Sequence, residues 1–184
     1  MQSDESKACP NAERALACVA SSLIVRAKHD GLFRTLVGIH RGGAWVAERL
    51  YRELRLANPD SFTEPIGYLS SAYHRDDYGH NVQRRGLTAM LHGSTDLPFE
   101  VTGANIVLVD DVLYTGRTIR AALNELFDYG RPASVELAVL VDRGGRELPI
   151  QADFVGSSID LGPNQAVLLA QSTEKALSFS LVER

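Results

Sequence analysis

The sequence predicts an α/β fold in which a mainly parallel sheet is flanked by helices. Three observations carry that prediction. Residues 105–109, Asn-Ile-Val-Leu-Val, are almost continuously apolar and β-branched, the pattern of a parallel strand covered on both faces. Asp110, Asp111 and a turn rich in hydroxyls and glycine follow, and the turn opens a helix whose apolar stripe runs through Ile119, Ala122, Leu123, Leu126 and Phe127. A second strand–glycine turn–helix stands earlier, at 35–56. Strands that alternate with helices are joined by crossovers, which makes the sheet parallel and its connections right-handed.

Composition narrows the class. At 184 residues the chain suits one well-buried domain, and 45% hydrophobic with 23% charged residues is ordinary for a globular protein. No apolar run reaches transmembrane length, and the start, Met-Gln-Ser-Asp-Glu-Ser-Lys, is not a signal peptide, so the expectation is a cytoplasmic protein without a membrane role. Cys9 and Cys18 are too few and too oddly spaced for a disulfide framework or a zinc site, and read as free thiols in a reducing compartment. Histidines at 29, 40, 74, 80 and 92 lack metal-ligand spacing. A net charge of −4 does not advertise nucleic-acid binding, although it leaves room for a local basic face.

In chain order, 1–10 reads as a loose tail and 11–184 as one domain. Asn11 caps a first helix to about Lys28, with Ala12, Leu16, Val19, Ala20, Leu23 and Ile24 on one face. Thr35–Ile39 is a strand that runs into His40, Arg41, Gly42 and Gly43, and a helix follows from Ala44 to about Leu56. The glycines let backbone amides approach an anion closely, while His40 and Arg41 add donor or positive character. Residues 65–70 form a strand. After it, the charged and aperiodic run Tyr73 to Gly86 is too long and polar for a plain connection, and reads as part of a functional lid spanning about 71–104.

The central turn, Thr115 to Thr118, presents backbone N–H groups and two hydroxyls at a helix N-terminus, which favours a phosphate. Two acids beside a phosphate cradle make sense if the ligand is a ribose 5-phosphate whose hydroxyls Asp110 and Asp111 accept. A receiver domain, the other fold with paired acids at a strand end, has no use for the Thr-Gly-Arg-Thr turn. Beyond it, Ser134 to Val141 is a buried strand ending in Asp142-Arg143-Gly144-Gly145-Arg146, a loop whose glycines and charges suit a ligand. Short strands follow at 154–156, 166–169 and 178–182.

The stretch Asp110-Asp111-Val112-Leu113-Tyr114-Thr115-Gly116-Arg117-Thr118 resembles the phosphoribosyl pyrophosphate (PRPP) signature of type I phosphoribosyltransferases. Together with Leu140-Val-Asp-Arg-Gly-Gly-Arg-Glu-Leu-Pro-Ile150, it is most similar to the PyrR branch, pyrimidine operon regulators that double as uracil phosphoribosyltransferases; the likeness runs from about Arg14 to Val167. It implies the type I phosphoribosyltransferase fold, with a flexible loop at about 71–104 and a small hood at about 142–184. It implies transfer of a phosphoribosyl group from PRPP to uracil, giving UMP, with Mg²⁺ bound mainly through PRPP and within reach of Asp110 and Asp111.

The resemblance also implies roles for individual residues. Asp110 and Asp111 are the catalytic pair, residues 110–118 hold PRPP or UMP, and His40 and Arg41 belong to the pyrophosphate loop, where many members of the branch have Thr-Arg after the His. Arg75 and Arg85 meet the pyrophosphate when the loop closes. Backbone groups of the hood and Arg143 read the base, and Val167 aligns with a family position that contacts the ligand. Tyr114 stands where purine-type relatives carry an Asp as candidate general base, so no general base is assigned. The alternative reading is a UMP-responsive RNA-binding attenuation regulator that binds the operon leader through Arg14, Arg26 and Arg146. Gln151 and Ser157, however, stand where RNA-binding members carry Arg and Lys. A purine or orotate phosphoribosyltransferase is a third reading, disfavoured by Tyr114 and the Asp-Arg-Gly wording. The branch forms homodimers or larger homo-oligomers.

Overall fold

The computed structural model describes residues 9–70 and 94–183. Among them the elements run α1 (Ala12–Asp30), β1 (Thr35–Ile39), α2 (Gly42–Ala57), β2 (Gly67–Leu69), β3 (Asn105–Leu113), α3 (Arg117–Asp128), β4 (Ser134–Asp142), β5 (Phe154–Ser158), β6 (Gln165–Gln171) and β7 (Leu177–Glu183). The first five strands form one all-parallel sheet in the order β2-β1-β3-β4-β5, and β6 and β7 pair as a separate antiparallel hairpin.

The alternation within β3 explains how one strand serves two cores. Val107 and Val109 pack on one face with α1, α2, Leu36, Ala138 and Leu140. Ile106 and Leu108 pack on the other with α3, Val37, Ile39 and Val139. A parallel strand covered on both sides must read as continuous hydrophobics, and this one does. The chain leaves β1 towards β2 and returns on the other side as β3. The order therefore reverses between β1 and β3, the place where open α/β sheets form a crevice at the strands' carboxyl ends.

Two polar clusters lock the periphery. Asn11 caps α1 by accepting the Arg14 N–H at 2.9 Å, and Gly31, at φ +65°, ends the helix. Arg34, 3% exposed, donates to both Asp30 oxygens at 2.9 and 2.6 Å and to Glu136 Oε2 at 2.7 Å, tying the end of α1 to β4. The Arg34 fork holds the Asp30 carboxyl well below the usual carboxylate range. At the other end, Glu13 accepts from Arg49 at 3.0 and 2.7 Å and from the Leu177 N–H at 2.9 Å. That carboxylate joins α1, α2 and the β6–β7 hairpin.

Several boundaries differ from the sequence expectation by a few residues, and two of these differences bear on the site. α2 starts at Gly42 rather than Ala44, and β3 continues through both acids to Leu113 because β4 remains beside it as far as Asp142. Residues 71–93 of the expected loop, including Arg75 and Arg85, lie outside the described residues.

Candidate functional site

The site is assembled where the β1–α2 turn meets the end of β3. A side chain on Gly42 would fall on the Asp111 carboxylate, and one on Gly43 would fall on the Val109 carbonyl and stand 3.0 Å from the Asp110 Cα. Glycine is required at both positions so that the backbone of the first turn can lie against the acids. His40 is held above this contact: its N–H donates to the Leu69 carbonyl at 2.9 Å, and its ring stacks on Tyr68 with centroids 5.7 Å apart. Burial pushes the Tyr68 phenol above its ordinary value. Arg41 is exposed at the head of α2, a helix with no side-chain cap and no acid in its first turn.

The acids are fixed by their own strand. Asp110, 7% exposed, accepts the Asp111 N–H at 3.0 Å through Oδ1, and Asp111 accepts the Val112 N–H at 2.9 Å. Beyond them the chain turns at Gly116, φ +89°, a left-handed conformation that suits glycine, and enters α3. This helix too begins without a side-chain bond from its N-cap residue and without an acidic residue; its Arg117 N–H donates to Thr115 Oγ1 at 3.3 Å, and its dipole favours an anion at this end. The turn is braced from behind: the Thr115 carbonyl accepts from the N–H groups of Glu147 and Leu148 at 3.0 and 3.1 Å.

A cavity of about 640 Å³ runs from Asp110 through Ile119 and is closed by Arg143, Glu147 and Ala166 to Leu168. The fold thus brings all nine residues of the 110–118 signature, Arg143 and Val167 around one space. His40 and Arg41 are not on its lining; they adjoin it through Gly42. Arg14, Arg26 and Arg146 lie off it. Arg14 is exposed on α1 and Arg26 pairs with Glu136 at 3.4 Å. Arg146 lies inside the loop after β4, where it donates to Asp142 at 2.5 Å and to the carbonyls of Tyr114 and Ile150 at 2.7 and 2.9 Å.

Sequence reasoning missed Ile119, Glu147, Ala166 and Leu168 as site residues. The last two flank Val167 in the apolar run 166–170, a signal that was present. Glu147 pairs with Arg117 at 2.7 Å on the exposed rim, which no local pattern announces.

No group of three or more His, Cys, Asp or Glu that could hold a metal occurs among the described residues. The donor chemistry, two carboxylates at a strand end beside an anion cradle, fits a hard cation that arrives on substrate oxygens and needs few protein ligands. No helix among the described residues is long and apolar enough to cross a membrane.

Comparison with known proteins shows the family and the fold. The family described as phosphoribosyl transferase domain matches residues 3–170. A bifunctional protein PyrR from Pseudomonas aeruginosa is 48% identical over 91% of this chain and 93% of its own. One from Nitrosococcus oceani is 57% identical over 73% of this chain and 71% of its own, and one from Ralstonia nicotianae 52% over 77% and 75%. Among solved structures, a hypoxanthine phosphoribosyltransferase of Trypanosoma cruzi superposes with a TM-score of 0.61, 21% identity and coverage of 86% and 82%, a likeness of fold.

Proposed function

The chain belongs to the phosphoribosyl transferase family, within its PyrR branch, and from that premise we propose that it is a uracil phosphoribosyltransferase converting uracil and PRPP to UMP and pyrophosphate. The observation that carries the reading is the single cavity joining a helix N-terminus, two strand-end carboxylates and a buried arginine.

Each residue has a task in this scheme. The Thr115–Thr118 turn receives the 5-phosphate through backbone N–H groups and hydroxyls. Asp110 and Asp111 accept the 2- and 3-hydroxyls of the ribose and favour positive charge on the ring as the bond from its anomeric carbon to pyrophosphate lengthens. The backbone at Gly42 and Gly43, with His40 and Arg41, lies on the pyrophosphate side, and Arg75 and Arg85 are proposed to meet that group from 71–93. Arg143 and the Val167 backbone read the base, while Val112, Leu113 and Tyr114 form the floor. N1 of the base joins the anomeric carbon as the electron pair of the breaking bond leaves with pyrophosphate. Mg²⁺, when bound, neutralises pyrophosphate charge, and Asp110 and Asp111 are the residues that would face it. Catalysis by the protein is then mainly orientation and fixed charge. The free thiols Cys9 and Cys18 suit a cytoplasmic enzyme.

The reading is tested by incubating the protein with PRPP, Mg²⁺ and a panel of bases, and resolving the nucleotides by chromatography. UMP from uracil, with no purine nucleotide or orotidylate, is expected; nucleotide from another base alone refutes it.

The relatives' description as bifunctional favours a second role, UMP-responsive binding of a pyrimidine-operon leader RNA. Arg14 on α1 supports it as an exposed cation, Arg26 lies on the same helix, and Arg146 is assigned to it from the sequence. A gel shift across a salt series tests this role, because phosphate contacts must weaken steeply with salt. Tighter binding with UMP supports regulation; no binding above a scrambled RNA removes it. Self-association as a homodimer or larger homo-oligomer completes the proposal, and sedimentation measures it.

A further inference from the structure

We infer that Tyr114 and Arg143 act as one device: the Tyr114 ring holds the buried Arg143 guanidinium at the base subsite, and the guanidinium stabilises the base as its N1-deprotonated anion, the attacking nucleophile. The inference rests on the uracil reading above and extends it.

Arg143 is 4% exposed, lines the cavity, and its Cζ lies 3.7 Å from the centroid of the Tyr114 ring. Its Nε is buried without a hydrogen-bond partner among the described residues. The backbone is fixed, since the Arg143 N–H donates to the Leu113 carbonyl at 3.1 Å. Gly145, at φ +69°, closes against the same ring, where a Cβ would stand 2.5 Å from Tyr114 Cε2. The nearby carboxylates have partners of their own. Asp142 is taken by Arg146 at 2.5 Å, and Glu147 by Arg117 at 2.7 Å. Asp110 and Asp111 each accept a backbone N–H at the sugar end.

A guanidinium buried on an aromatic face, with no carboxylate assigned to it, is costly unless a ligand supplies acceptors. The acceptor this cavity calls for is planar and carries charge spread over ring nitrogen and carbonyl oxygens, as the uracil N1 anion does. The sequence assigns no carboxylate as a base for N1–H, since Tyr114 stands where purine-type relatives carry an Asp. The balance closes without one. The N1–H pair stays on nitrogen and forms the bond to the anomeric carbon, the carbon–oxygen pair leaves with pyrophosphate, and the proton passes to pyrophosphate or water. Arg143 is thus a catalytic residue that touches the base, and Tyr114 a positioning residue that acts through it.

The test compares uracil with 5-fluorouracil, whose N1–H is more acidic, in the full-length protein and in Arg143→Gln, Tyr114→Phe and Tyr114→Leu, over a pH series. Arg143→Gln should lower kcat/KM for uracil about a hundredfold, the scale of one lost electrostatic donor. The deficit should shrink with 5-fluorouracil and as pH rises. Tyr114→Leu should cost about tenfold, and Tyr114→Phe, which keeps the ring under the cation, should recover most of that loss. If Arg143→Gln does not fold, by thermal melt, the Tyr114 pair decides alone. A deficit that is equal for both bases and flat with pH, or a Tyr114→Phe as poor as Tyr114→Leu, overturns the inference while parental UMP formation leaves the proposed function intact. A parent that uses another base and not uracil overturns both.

Discussion

Replacing Gly43 by alanine probes the contact on which the site is built. The added Cβ would fall on the Val109 carbonyl oxygen and stand 3.0 Å from Asp110 Cα and 3.1 Å from the Val109 carbonyl carbon. Carbon–carbon contacts are comfortable at about 3.5–4.0 Å, so α2 and β3 must separate by roughly 0.5–1 Å. Both partners are backbone of a buried parallel sheet and its helix, and no side chain can rotate away. Overpacking of this kind costs about 1–3 kcal/mol of stability. The activity loss should be larger than the stability loss suggests, because the displaced atoms carry Asp110 and the pyrophosphate-side turn. A misplacement near 1 Å costs about a hundredfold in rate. Urea unfolding gives the first number and steady-state UMP formation the second. A Gly43→Ala protein with parental stability and parental kcat/KM would show that the two strand ends do not meet as described.

Further outcomes follow from other contacts. Arg34→Met should lower stability by about 3 kcal/mol in urea unfolding with little change in KM for PRPP, since it removes a buried cation shared by two carboxylates remote from the cavity. The Arg49 hydrogen bond lowers the Glu13 carboxyl below its ordinary value near 4.5, so its contribution is present above that value and is lost as pH falls through the depressed one. The stability gap between the parent and Glu13→Gln should therefore be full at pH 6 and close on acidification below 4.5, as read by urea unfolding along a pH series. Asp111→Asn should reduce kcat/KM at least tenfold by removing charge beside the ribose, with thermal melts close to parental because Oδ1 can still accept the Val112 N–H.

The elements that were legible in the sequence are those whose burial is written locally. The run 105–109 had to be a doubly covered strand, and Asn11 had to cap α1. Local pattern could not place the start of α2, because Gly42 and Gly43 are poor helix formers that occupy its first turn only to let β3 approach. Nor could it show that the acids remain in β3, since pairing to β4 keeps them extended. For the site, the phosphate turn was legible as a strand–turn–helix motif. The Tyr114–Arg143 stack was not, because it depends on the loop after β4 folding back onto the Thr115 carbonyl. Glu147 came to the rim by the same fold-back.

The most direct test of the account is a crystal structure of the complex with UMP. The 5-phosphate oxygens should lie within hydrogen-bonding distance of the first N–H groups of α3 and of the Thr115 and Thr118 hydroxyls. The ribose hydroxyls should lie on Asp110 and Asp111, and the uracil ring between Arg143 and the Val167 backbone. A nucleotide bound with its phosphate away from α3, or with its base outside the cavity closed by Arg143, would contradict the account.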